Sequence, residues 1–192
     1  MSFNLIETIQ ANLGFPVLQK IDPNTQEVKK PDDVSPEDFI GQAAIPTVLL
    51  GLYKFSRTPE GNSAIINGSS NMHILDTIFG DLKEPVINKV SHYTNNTTEY
   101  TGQQMEKIAK EAIRVVQENL KGDTSDGAVT AFLSTQKTNI VTCLPGELQI
   151  GEVLNDGSID DRTHKMEGPM SSAMHWIEHL FTGSDRKKEE NF

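Results

Sequence analysis

Cysteine is almost missing from this chain: Cys143 is its one thiol, so neither an internal disulfide nor a four-cysteine zinc site can form. Its neighbours Ile140, Val141 and Leu144 suggest a buried small hydrophobe rather than a reactive thiol. Positive charge is also short. Seventeen Lys and Arg stand against 27 acids, a formal net charge of −10, which repels nucleic-acid phosphates and anionic lipid. The basic cluster Arg186-Lys187-Lys188 is followed at once by Glu189-Glu190 and reads as a solvated tail. Long apolar runs are lacking too. AAIPTVLLGLY at 43–53 is too short to span a bilayer and contains Pro46. MSFNLIETIQ has neither the basic start nor the apolar stretch of a signal peptide, so a cytoplasmic protein is expected, and the sequons at Asn67, Asn95 and Asn96 carry no weight.

What is present is a globular composition, 36% hydrophobic and 23% charged, over a length that suits one domain or two small ones. Helical spacing dominates. Phe3, Ile6, Ile9 and Leu13 recur every three to four residues, with Ser2 as a candidate N-cap and Gly14 closing the segment. Pro16 is expected to open a short helix, PVLQKID, followed by a polar loop over 22–34. SPED at 35–38 starts a helix reaching about Phe55, apolar almost all round in its second half and therefore central, with a kink expected at Pro46. Thr58-Pro59-Glu60 caps the next helix, and Met72–Phe79 and Pro85–Tyr93 are further short ones. Thr101 with Gln104 resembles a capping box for an amphipathic helix to Leu120. Thr124 is expected to cap a helix through Leu133, and Pro145-Gly146 to end another. Leu148, Ile150, Val153 and Leu154 read as a small apolar satellite. No alternating strand pattern emerges, so the fold class is all-α.

The chain also repeats itself. PVLQKID at 16–22 is matched by PVINKVS at 85–91, AIPTVLLGL at 44–52 by AIRVVQENL at 112–120, and TPEG at 58–61 by TSDG at 124–127. The order is kept, which points to a duplicated unit. The expected organisation is a duplicated helical domain over 1–154, with units of about 1–80 and 81–154 sharing one core. A polar linker, an amphipathic helix and a charged tail follow over 155–192. The first long helix is expected in the middle and its counterpart at the rim; a dimer face on the 36–55 helix is the alternative.

NLIETIQ near the start, SPEDFIGQAAIPTVLLGLYKFSRTPEG at 35–61, ILDTIFG at 74–80 and FLSTQKTNI at 132–140 resemble the YidB-like bacterial helical proteins, a family of unknown function, over roughly residues 3–154. The resemblance implies a bacterial, helical protein and supplies no active site to carry over. This chain departs from the family in being more charged and in adding 155–192.

HWIEH at 175–179 comes nearest to chemistry, because it matches the H-x-x-E-H pattern of inverted zinc peptidases. His175 and His179 could share a metal, with Glu178 as base toward a bound water. On a helix, however, Met170, Ala173, Met174, Ile177, Leu180 and Phe181 form one stripe, and the two histidines fall about 160° from its centre. They then face away from the core, with no third ligand in view apart from an unplaced His164. Trp176 borders the stripe and reads as packing, and the stripe itself docks on its own core or on a partner. GSSNMH at 68–73 lacks the lysine of a phosphate loop, and DGSIDD at 156–161 follows a calcium-loop pattern only weakly even with Glu167 at the closing distance. No G-x-S-x-G, Walker loop or G-x-G-x-x-G is present.

No residue is therefore assigned a catalytic, cofactor-binding or metal-ligating role, and no cofactor is expected. The expected function is non-catalytic protein–protein interaction or assembly, with itself or another protein, through exposed helix faces. The alternatives are a metal-dependent hydrolase on His175, Glu178 and His179, and a helix-turn-helix-like DNA binder, which the acidic charge disfavours.

Overall fold

Every residue from Phe39 to Leu52 is buried, and the helix that carries them is the axis around which the rest is arranged. The computed structural model describes residues 3–21, 35–68, 73–125 and 127–156. The chain divides into units Met1–Asp160 and Asp161–Phe192, and the described residues lie in the first. Among them the fold is all-α, with no strand. The helices are α1 (Leu5–Leu13), α2 (Pro36–Ser56), α3 (Pro59–Asn67), α4 (Ile74–Phe79), α5 (Lys83–Thr94), α6 (Thr98–Leu120), α7 (Ala128–Val141) and α8 (Ile150–Val153). Short 3₁₀ turns lie at Gly80–Leu82 and Gly146–Leu148.

α2 touches α1, α3, α4, α5, α6 and α7, which is why its second half is apolar almost all round. The helix runs on through Pro46. The backbone bond that proline cannot make is offset by burial of Ile45, Val48, Leu49 and Leu50 all round it. α6 is its amphipathic companion. Met105, Ile108, Ala109, Ala112, Ile113 and Val116 are buried, while Arg114 and Glu118 stay exposed. The second half of α2 is covered largely by its own chain's helices, while Pro36 and Glu37 at its start are exposed.

One apolar cluster extends from Leu5 to Leu154. Leu148, Ile150 and Leu154 belong to it, so the expected satellite is part of the main core. Close approach is visible at two glycines. A Cβ on Gly51 would lie 2.3 Å from the Phe79 ring, and one on Gly61 1.9 Å from the Phe55 carbonyl oxygen.

Several local expectations are corrected. Residues 15–21 are not helical. The Leu18 N–H donates to Gln10 Oε1, the Gln19 N–H to Gln42 Oε1, and the Ile21 N–H to the Thr142 carbonyl. Gln42 Nε2 in turn donates to the carbonyls of Gln19 and Cys143. Buried Gln10 and Gln42 thus fasten the main chain of this strap. Its sequence match, PVINKVS, lies inside α5, so the two segments paired by sequence differ in conformation. Asn4 caps α1, accepting from the Ile6 and Glu7 amides. Thr97 rather than Thr101 caps α6, accepting from Tyr100 N, and Thr101 is fully buried. α7 begins at Ala128, behind Gly127 at φ 81, and runs unbroken to Val141.

Candidate functional site

Helix ends leave amides and carbonyls without intrahelical partners, and in this molecule many are closed by side chains from elsewhere in the chain. Gln136 Oε1 accepts the Leu5 N–H at the start of α1, and Asn62 Oδ1 accepts the Val129 N–H at the start of α7. Glu106 Oε1 and Oε2 take the Ile74 and Leu75 amides of α4 at 2.6 and 3.1 Å. His73, the N-cap position there, provides no side-chain cap itself. At C-termini, Gln117 Nε2 donates to the Ile65 and Ile66 carbonyls of α3, and Thr130 Oγ1 to the Ser56 carbonyl of α2. Lys54 Nζ donates to the Leu154 carbonyl beyond α8.

The Glu106 clasp forms one wall of an open groove between α4, α5 and α6, with a volume of about 460 Å³. Leu75, Ile87 and Gly102 line its apolar part. Lys83, Glu84, Glu99, Gln103 and His73 line its polar part. Lys83 Nζ lies 2.7 Å from Asp76 Oδ1 and 3.9 Å from Glu84 Oε1. The hydrogen bond that Lys83 Nζ donates to Asp76 raises the Lys83 pKa, which favours its charged form. Glu106 spends both oxygens on backbone amides. The arrangement can hold charge and shape; it does not pair a nucleophile with a base.

The residues singled out by sequence fare differently. His164, His175, Trp176, Glu178 and His179 lie outside the described residues, as do Ser69–Met72 of the GSSNMH stretch. Among the described residues no group of three or more His, Cys, Asp or Glu could hold a metal ion. Asp156, first of the weak calcium-loop pattern, is buried and pairs with Arg57 Nη1 at 2.9 Å, which makes it a tether to the end of α2. Cys143 is buried, and that burial pushes its thiol pKa up, against a lowering hydrogen bond from Thr142. No described helix is long and apolar enough to cross a membrane.

Sequence reading missed the groove. Its walls come from three helices, and nothing in the spacing of Leu75, Lys83, Glu99 and Glu106 announces that they meet. One signal was present: Gly102 stands inside an otherwise strong helix pattern. Compared with protein-family models, with curated proteins and with solved structures, the chain has no match.

Proposed function

We propose that this chain is a non-catalytic helical module for protein–protein interaction or assembly, set in the bacterial cytoplasm. The observation that supports this most is the use made of its interior polar groups. Gln42, Asn62, Glu106, Gln117 and Gln136 each bind main-chain atoms of another segment, so they act as fasteners and do not converge on a common reacting point. What remains for function is surface: an acidic exterior with net charge −10 and the open groove of α4, α5 and α6. The likeness of residues 3–154 to the YidB-like proteins points the same way, since it brings no active site with it.

Native mass spectrometry of the full chain, purified without a histidine tag or chelator, tests this reading. The expected spectrum is an apo mass or a whole multiple of it. One zinc per chain, lost in His175→Ala together with a hydrolytic activity, would replace the interaction reading with the metal-dependent one.

A further inference from the structure

Gly102 sits in the first turns of α6, where a glycine costs about 1 kcal/mol relative to alanine. The fold itself does not demand it. A Cβ built there would meet only Ile87 Cδ1, at 3.5 Å, an ordinary contact. The bare backbone instead lines the groove, beside Ile87 and Leu75. Around this apolar floor acids outnumber cations: Glu84, Glu99 and Glu106 line the groove with a single lysine, Lys83, which lies 3.9 Å from Glu84. Lys83 is answered by Asp76, while Glu84 and Glu99 are exposed. Among the described residues the Glu99 and Gln103 side chains make no hydrogen bond or ion pair. The volume falls within the range of ligand clefts, about 300–1,000 Å³.

We infer that this groove docks a lysine- or arginine-bearing amphipathic segment of a partner protein. Its apolar side lies against Gly102, Ile87 and Leu75, and its cations face Glu84 and Glu99. The inference rests on the interaction reading above and names the surface and the chemistry of the partner. Charge selects the occupant: a nucleic acid is repelled by these acids, whereas a basic segment is steered in. Glycine at the floor lets such a segment approach the α6 backbone closely.

The test uses the full chain and a fluorescently labelled helical peptide of leucine and lysine, followed by anisotropy. Binding is expected to weaken about tenfold in Glu99→Lys, where attraction becomes repulsion, and comparably in Gly102→Leu, which fills the floor. Glu152→Lys, the same charge change on α8 outside the groove, is expected to leave it within about twofold, as exposed charges at a distance contribute little. Circular dichroism checks folding, and the exposed Glu99 variant keeps the test decisive if Gly102→Leu unfolds. Equal weakening by Glu99→Lys and Glu152→Lys overturns the inference, as does absence of peptide binding. Capture of a partner protein by the native chain and by Glu99→Lys alike overturns the groove while leaving the interaction reading intact. Failure of both peptide and partner to bind overturns the two together.

Discussion

Asn62, on α3, accepts the backbone N–H of Val129 at 3.2 Å and so closes the start of α7. The expected local cap, Thr124, is exposed, and Gly127 in the cap position has no side chain to offer. A residue far back in the chain therefore decides where α7 begins. The same device recurs between Gln136 and α1 and between Glu106 and α4, so the helices hold one another's ends.

Replacing Asn62 with leucine is expected to destabilise the fold by about 1–3 kcal/mol, because the buried Val129 amide loses its partner. Asn62→Asp retains the acceptor and recovers part of that loss. Urea unfolding followed by circular dichroism measures both. Equal stability of Asn62→Leu and the native chain would show that the contact is dispensable.

Glu106→Ala removes both acceptors from the first amides of α4. The expected effect is local: hydrogen exchange at Ile74 and Leu75 accelerates, with a global loss of about 1–2 kcal/mol. Exchange monitored by NMR distinguishes this from general loosening, in which the buried amides of α2 accelerate as well.

Two glycines in helix interiors are expected to respond in opposite directions to alanine. Gly51→Ala drives a methyl to 2.3 Å from the Phe79 ring and is expected to cost about 1–3 kcal/mol. Gly102→Ala meets nothing closer than 3.5 Å and is expected to stabilise by about 0.5–1 kcal/mol. Thermal unfolding of the two variants side by side checks the pair, and a shared sign would contradict the packing described.

The Thr101 hydroxyl is fully buried in α6 with no partner among the described residues. Thr101→Val keeps the shape and removes the orphaned group, so it is expected to be neutral or stabilising by up to about 1 kcal/mol. Denaturant midpoints decide this, with a clear loss of stability counting against an unpaired hydroxyl.

Tyr93 stacks against Phe39 at 5.9 Å, and burial, helped by nearby Glu147, pushes its pKa up from 10.0 to about 12. In the unfolded chain the hydroxyl ionises near 10 while the folded one stays neutral. The stabilisation is therefore complete below that pH and is lost as pH rises from 10 toward 12. Unfolding free energies measured on both sides of this window are expected to fall less in Tyr93→Phe than in the native chain.

Much of the helical framework was legible because it rests on periodicity and on caps within a few residues. α2 read as central because its second half is apolar almost all round, and α6 as a rim helix because one of its faces is charged. Thr58 at the head of α3 and Gly14 at the end of α1 stood where their residue types predict. The strap at 15–21 misled, since Pro16 also fits the first position of a short helix. Its competitor, the bonding to Gln10 and Gln42, has no periodic signature. The groove was illegible for the same reason.

By itself, then, the sequence determined the all-α class, the buried axis of α2 and the locally capped helix ends, all governed by interactions within a turn or two. Tertiary structure alone decided the path of the strap, the start of α7, the role of Asp156 as a tether and the meeting of α4, α5 and α6. Those outcomes depend on hydrogen bonds such as Gln136 to Leu5, across a sequence separation of 131, and Glu106 to Leu75, across 31. An asparagine, glutamine or glutamate can satisfy any amide that folding brings within reach, so its partner is chosen by the packing of the apolar faces and not by its neighbours in the chain.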